Sequence, residues 1–471
     1  MTFKYQQLAT HVTGEIQNQT LAAGEPLPAL RKFALQHQVS LATATKTYEW
    51  LQSQGLIVAK AQSGFYVKGH SSIKPLSQPR LKSVSIKHDP SDVIFEILQN
   101  ALTFDRVGLS SGYLDESLRP SLELQRSLKR TAKIANLTAN SYGHTQGEVK
   151  LRNAIVDIMR QRQCSINTEQ IIVTNGCLEA INLVLGQVSE VGDTVAIFTP
   201  CYSGLLTALK HAKRQVLEIP CGPEGPDMVH VAELFSQGKF TTLLFSAIAS
   251  NPIGFSLPRK TKKQLALLAK QYQTYIIEDD TFGSLDYRQG TTEPAYAYDH
   301  AGYIVYCSSF SKDLAPNMRL GWIASKPLMP GLMRHKVALN ITCNMPCQLA
   351  MADYLFSESY SAHIRKLTTT LQQQVLKLQT CVLQHFPAGT RVSQPQGGFF
   401  LWVELPHQIK TMEIYNLAVQ ENICFMPGHT FSMSGQYEHC LRLSINQIWH
   451  SDLEQAVCRL GEITCALFDG I

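Results

Sequence analysis

The sequence predicts an α/β protein of two domains: a small helical head closed by a hairpin, and a larger body on a mostly parallel sheet with helices on both faces, ending in a smaller C-terminal α+β subdomain. Three observations carry this. The 471 residues exceed what one hydrophobic core usually organises. A stretch rich in Ser, Pro and Lys, from Gly69 to Pro90, has weak apolar periodicity and reads as an exposed linker. Beyond it, short apolar runs alternate with amphipathic helical patterns, as in a parallel sheet covered by helices. The boundaries are residues 1–68 for the head, 69–90 for the linker and 91–471 for the body, with the small subdomain from about residue 330.

Composition narrows the class without naming a function. Apolar residues make up 44% and charged residues 17%, ordinary values for a globular chain. A net charge of +5 is too mild to argue for nucleic acid, so that argument must come from a local motif. The 12 cysteines include no CxxC pair, so they read as buried free thiols in a reducing compartment, and no metal site is expected. The N-terminus lacks the apolar core of a signal peptide, and no run approaches the ~18 apolar residues of a spanning helix. A cytoplasmic protein with no membrane partner is the expectation.

In the head, Leu8, Val12 and Ile16 recur at helical spacing over Tyr5–Gln19. A turn at Ala23-Gly24-Glu25-Pro26 leads to a second helix from about Pro28 to His37. Ser40 is placed to cap a third, running to about Ser53 and closed by Gly55. Leu56-Ile57-Val58 and Phe65-Tyr66-Val67 flank Gln62-Ser63-Gly64 as two strands around a turn. Two short helices and a hairpin are an economical way to offer one helix to the major groove.

The segments Tyr5–Ala9, Gly24–Arg31, Val39-Ser40, Tyr48–Leu51 and Ser63–Val67 resemble the GntR-type winged helix over the whole head. The resemblance implies double-stranded operator DNA as a partner. It assigns contacts to Arg31, to Thr43, Thr45 and Lys46 on the third helix, and to Ser63 and Gly64 at the wing tip. Two positions depart from the family: Ala29 stands where a Ser is usual, and Leu41 where an Arg is frequent. Six Lys/Arg against three Glu leave the head at only +3, so tight binding is expected to need two heads on one site.

The body repeats one pattern: strand, then a polar turn. Ile171–Thr174 runs into Asn175-Gly176-Cys177-Leu178 at the start of a helix, where backbone N–H groups suit a phosphate. Later come Pro200-Cys201-Tyr202, Ser250-Asn251-Pro252-Ile253-Gly254, and Ile276-Ile277-Glu278-Asp279-Asp280. Ser308-Ser309-Phe310-Ser311-Lys312 is followed by Arg319-Leu320-Gly321-Trp322. A Lys forms an imine only when its amine can lose a proton, which burial and nearby cations favour. Arg442 stands in the apolar strand Leu441–Ser444, where it is costly unless its fork is paired.

In this order the motifs resemble fold-type I aminotransferases, and with the head they resemble the MocR subgroup of GntR-type regulators, over essentially the whole chain. The resemblance implies pyridoxal 5′-phosphate held as an imine on Lys312. Asp279 would face the ring nitrogen, with Asp280 as second choice, and Asn251 the phenolic oxygen. The amides near Gly176, Cys177 and Leu178, with Ser309, Ser311 and Arg319, would hold the phosphate. Tyr202 would lie flat against the ring, Tyr142 would reach the phosphate of a partner subunit, and Arg442 would take a substrate α-carboxylate. A homodimer is implied.

One departure bears on activity. After the carboxylates the family carries a Tyr whose hydroxyl meets the phenolic oxygen. Here the order is Thr281-Phe282, so the nearest ring has no hydroxyl. Two functions stay open. One is a DNA-binding regulator that senses an amino compound, or the cofactor itself. The other is an active aminotransferase (transaminase) with a weak or vestigial head.

Overall fold

A computed structural model describes residues 4–17, 21, 24–53, 56–60, 64–67, 76, 91–104, 107–138, 142–288, 292–406 and 409–470. The chain divides into two compact units, Met1–Lys74 and Pro75–Ile471.

The first unit holds α1 (Lys4–Gln17), α2 (Leu30–Gln36), α3 (Leu41–Ser53), β1 (Ile57–Lys60) and β2 (Gly64–Val67). Its core takes Ala9 and Val12 from α1, Phe33 from α2, Ala44, Tyr48 and Leu51 from α3, and Ile57 and Val67 from the hairpin. Tyr48 is the centrepiece. Its ring meets Phe33 at 4.9 Å and Phe65 at 5.0 Å, and its hydroxyl donates to Pro28 O at 2.8 Å, so a buried phenol keeps a partner. β1 and β2 pair antiparallel, Ile57 opposite Val67 and Lys60 opposite Gly64. Leu27 N donates to Phe65 O, and Pro26 bridges Tyr66, which ties the turn before α2 to the hairpin.

The larger unit is built on an eight-stranded sheet. Its strands are β3 (Ile171–Thr174), β4 (Thr194–Thr199), β5 (Gln215–Gly222), β6 (Gly225–Pro226), β7 (Thr242–Phe245), β8 (Tyr275–Asp279), β9 (Ile304–Ser309) and β10 (Gly321–Ala324). Their order is β3-β10-β9-β8-β7-β4-β5-β6. From β9 to β5 the pairing is parallel, while β10 runs antiparallel between β9 and β3. The inner strands are buried along their length, as strands covered on both faces must be. Residues of helix Cys177–Val188 and helix Ser203–His211 pack on Ile197, Leu244, Ile277 and Val305 of this sheet.

β11 (Arg391–Val392), β12 (Phe400–Glu404), β13 (Met426–Pro427) and β14 (Cys440–Ser444) form a second, antiparallel sheet in the order β11-β12-β14-β13. In β14, Arg442 is central, opposite Trp402 on one side and Met426 on the other. The 28-residue helix Glu358–His385 packs on β11 and β12, and the helix Ser451–Asp469 packs on that helix.

A candidate cofactor cavity at the carboxyl edge of the sheet

β3, β4, β7, β8 and β9 all end at one edge, and β10 begins there, so the turns that follow them converge. That edge is where open α/β sheets place their ligands. A cavity of about 720 Å³ lies there, lined among others by Tyr202, Asn251, Asp279, Lys312, Arg319 and Arg442. Cys177, Leu178, Ser309 and Ser311 line it too, and Ile94 and Phe95 add to its wall from helix Ser91–Phe104.

Lys312 is half-buried, and its Nζ donates to Gly112 O at 2.5 Å. Burial lowers its amine from 10.5 to about 8; Arg442 and Arg319 push the same way, while Asp279 opposes them. The buried Asp279 accepts three hydrogen bonds, all on Oδ1: from Thr281 Oγ1 at 2.6 Å, Thr281 N at 3.0 Å and Cys177 Sγ at 3.4 Å. Burial raises its carboxyl, and the Thr281 donors act against that. Asp280 is committed elsewhere. Arg162 Nη1 donates to its Oδ2, and the Tyr306 hydroxyl donates to the same oxygen at 2.6 Å. Glu278 accepts from the amides of Ala295 and Tyr296, both at 2.8 Å.

The turn after β3 forms a tight corner. Gly176 has φ +94° and caps the helix Cys177–Val188. A Cβ there would meet Arg319 Nη2 at 2.5 Å, so only glycine admits the guanidinium so close. Arg319 itself holds φ +50°, its Nη2 donating to Asn175 O at 3.1 Å and its Nη1 to Ser311 Oγ at 3.4 Å. A helix N-terminus, an Arg and two serine hydroxyls thus face one space, a donor set suited to a phosphate.

Across the cavity, Arg442 Nη1 donates to Asn251 Oδ1 at 3.2 Å and Nη2 to Ser110 O at 2.7 Å. Its guanidinium lies 4.2 Å from the centre of the Phe400 ring. Phe282 packs on Phe399 and Phe400, with Lys312 Nζ 5.9 Å from its ring centre. The Thr281 hydroxyl is given to Asp279, so it does not stand in for a missing tyrosine hydroxyl.

The fold therefore brings together Gly176, Cys177, Leu178, Tyr202, Asn251, Asp279, Ser309, Ser311, Lys312, Arg319 and Arg442. Tyr142 is 79% exposed and is not among the cavity's lining residues. Sequence reasoning missed Ser110 and Gly112, whose backbone carbonyls hold Arg442 and Lys312; no side-chain signal marks a backbone acceptor. Cys177, expected to act through its backbone amide, also donates its thiol to Asp279 Oδ1 at 3.4 Å.

On the head, Arg31 and Lys46 are exposed. Thr43 and Thr45 are half-buried, the first paired with Ser40 Oγ at 2.9 Å and the second donating to Leu41 O at 2.9 Å. Both threonines are thus less open than an outward-facing position implies. Gly64 opens β2 with φ +101°, and Ser63 lies outside the described residues.

Together the sheet order, the convergent turns and the appended helix-turn-helix define a fold-type I aminotransferase-like body joined to a winged-helix head. The comparisons agree. Residues 105–460 match the aminotransferase class I and II family, and residues 4–67 match the gntR family of bacterial regulatory proteins. The chain is 31% identical over 465 residues to the uncharacterized HTH-type transcriptional regulator YdcR of Escherichia coli, covering 98% of both chains. It is 25% identical over 443 residues to the HTH-type transcriptional regulator NorG of Staphylococcus aureus, covering 92% of this chain and 98% of that one. In fold it resembles the multiple substrate aminotransferase of Thermococcus profundus, with a TM-score of 0.75 and 23% identity over 80% of this chain and 96% of that one. The chain belongs to the aminotransferase class I and II family and to the GntR family: it is a GntR-type regulator fused to an aminotransferase-like domain, the organisation of the MocR subgroup.

Proposed function

We infer that the protein is a DNA-binding regulator whose body holds pyridoxal 5′-phosphate at Lys312 and reads out an amino compound or the cofactor itself. The observation that carries this reading is the meeting, in one cavity, of a lysine held near pH 8, a carboxylate bonded on one oxygen only, and an Arg–glycine corner at a helix N-terminus. The residues present fit the group. The corner of Gly176, Cys177, Leu178, Ser309, Ser311 and Arg319 suits the phosphate, and Oδ2 of Asp279 is left for the ring nitrogen. Asn251 suits the phenolic oxygen and Tyr202 the ring face. When bound, the cofactor supplies a carbonyl carbon open to amines and a ring that accepts electrons.

The chain's own residues do the rest. Lys312 presents an amine that is partly unprotonated at neutral pH. Asp279 keeps a proton at the ring nitrogen, because its burial and fixed donors hold it in place. Arg442 anchors a ligand carboxylate beside its bonds to Asn251 Oδ1 and Ser110 O. Since Arg442 lies in the small sheet and Asn251 in the turn that follows β7 of the large one, a ligand there acts on the relation between the two. Such a ligand changes operator binding only through unequal affinity for the two arrangements.

The head, through Arg31, Thr43, Thr45, Lys46 and the wing at Ser63 and Gly64, meets operator DNA. Two heads act together in a cytoplasmic homodimer, and Tyr142, exposed in the single chain, reaches the partner's phosphate site. No helix among the described residues is long and apolar enough to cross a membrane.

The experiment is a mobility-shift assay on the DNA upstream of the protein's own gene, with and without amino compounds, alongside the visible spectrum of the purified protein. A shift that amines modulate, with an absorbance that Lys312→Ala removes, is the expected result. Rapid conversion of the cofactor by common amino acids, with no DNA response, would point to the transaminase instead.

A further inference from the structure

Two helices of the body carry a grouping that the cofactor cavity does not use. Helix Glu358–His385 presents Cys381 and His385 on one face at its C-terminal end. Helix Ser451–Asp469 passes beside it and presents Cys458. The Sγ atoms of Cys381 and Cys458 stand 3.8 Å apart, and the ligand atoms of Cys381, His385 and Cys458 all lie within 4.8 Å of one another. A close helix approach permits this. A Cβ on Gly461 would fall 2.6 Å from the His385 carbonyl oxygen, so any larger residue there would force the helices apart.

We propose that Cys381, Cys458 and His385 bind a Zn²⁺ ion, with water in the fourth position. With Zn–S bonds of about 2.3 Å, a tetrahedral site has a sulfur–sulfur edge of about 3.8 Å, the separation found here. Two thiolates and a neutral imidazole balance a divalent ion. Binding releases two thiol protons to solvent while the imidazole gives a lone pair, and nothing is oxidised or reduced. His385 lies in the last turn of a 28-residue helix, where the backbone dipole favours a cation.

Accessibility also fits. Cys381 is buried, Cys458 half-buried and His385 exposed, so an ion can enter from solvent and retain a water on that side. Cys465, about two helical turns beyond Cys458, already donates its thiol to His385 O at 3.5 Å and is not a ligand. The ion clamps the C-terminal helix to the long helix behind the small sheet.

The test is a titration of the full-length, reduced, metal-free protein with Co²⁺ as a spectroscopic stand-in, followed by Zn²⁺. Co²⁺ is expected to give a thiolate-to-cobalt charge-transfer band and the visible bands of a tetrahedral site, both erased by Zn²⁺. Cys381→Ser and Cys458→Ser remove the sulfur band, and Cys465→Ser leaves it intact. Losing groups that merely support a ligand costs about 10–100-fold in affinity, so His385→Ala weakens Zn²⁺ binding at least that much. Because Cys381 is buried, Cys458→Ser carries the test if Cys381→Ser does not fold. The proposal is overturned if reduced protein takes up no Co²⁺ or if the band survives Cys458→Ser. It is equally overturned if the two thiols only oxidise to a disulfide and ignore metal.

Discussion

Replacing Arg442 by Met removes the charge that acts most strongly on Lys312 after burial itself, while the unbranched side chain keeps apolar bulk over Phe400. With the Lys312 amine at about 8 rather than 10.5, about a quarter of the molecules carry it unprotonated at pH ~7.5, against about 0.1% for an ordinary lysine. That is a gain of about two hundredfold in the reactive form at neutral pH. The assay is the rate at which cofactor-free protein captures pyridoxal 5′-phosphate, followed by absorbance as a function of pH. The wild-type rate should rise through a midpoint near 8. In Arg442→Met the midpoint moves upward but stays short of 10.5, because burial, the larger cause, is retained. The sign for stability is fixed by the same shift. The folded chain gives up this proton before the unfolded chain does, so Lys312's contribution to stability increases as pH rises from about 8 to 10.5. A wild-type midpoint near 10.5, or one that Arg442→Met leaves in place, would show that burial and Arg442 do not set the Lys312 amine.

Other expectations follow from single contacts. Gly176→Ala drives a methyl toward Arg319 and places a side chain at φ +94°, so it should lower cofactor affinity at least tenfold, as read by equilibrium dialysis, and cost about 1–3 kcal/mol in unfolding. Asp280→Ala takes the buried carboxylate from the half-buried Arg162, which keeps only Thr292 O and the Tyr306 hydroxyl among the described residues, and should cost about 3 kcal/mol in chemical denaturation. Asp279→Ala should instead lower cofactor affinity with a smaller loss of stability, separating the roles of the adjacent carboxylates. Ala29 caps α2 without a side-chain hydrogen bond, so Ala29→Ser should stabilise that helix by about 0.5–1 kcal/mol, seen as slower hydrogen exchange of its first amides. Lys46→Ala should weaken operator binding regardless of sequence and flatten its salt dependence by about one unit per head.

Much of the site was legible because the residues that form it sit in short strand-to-turn motifs. Ser308–Lys312 with Arg319–Trp322, Thr174–Leu178 and Ser250–Gly254 each declare a local conformation, and a parallel sheet brings such turns to one edge. Arg442 was legible for a different reason, since a lone charge in an apolar strand demands a partner. The identity of that partner was not. Asn251 is 191 positions away and Ser110 332, and the contact to Ser110 uses a backbone carbonyl that any residue would provide. The different surroundings of the adjacent carboxylates were not legible either, since Asp279 meets Cys177 while Asp280 meets Arg162 and Tyr306, all tertiary contacts. The Cys381–Cys458 pair, 77 positions apart, has no spacing signature at all.

Under the proposed function, cofactor binding at Lys312 changes the hold of the protein on DNA. The most direct test is the affinity of the full-length protein for its operator, measured with and without pyridoxal 5′-phosphate, for wild type and Lys312→Ala at one salt concentration. The cofactor should change operator affinity in the wild type and leave Lys312→Ala, still folded and still bound to DNA, without that response. Equal operator affinity in the wild type with and without the cofactor, or an undiminished response in Lys312→Ala, would contradict it.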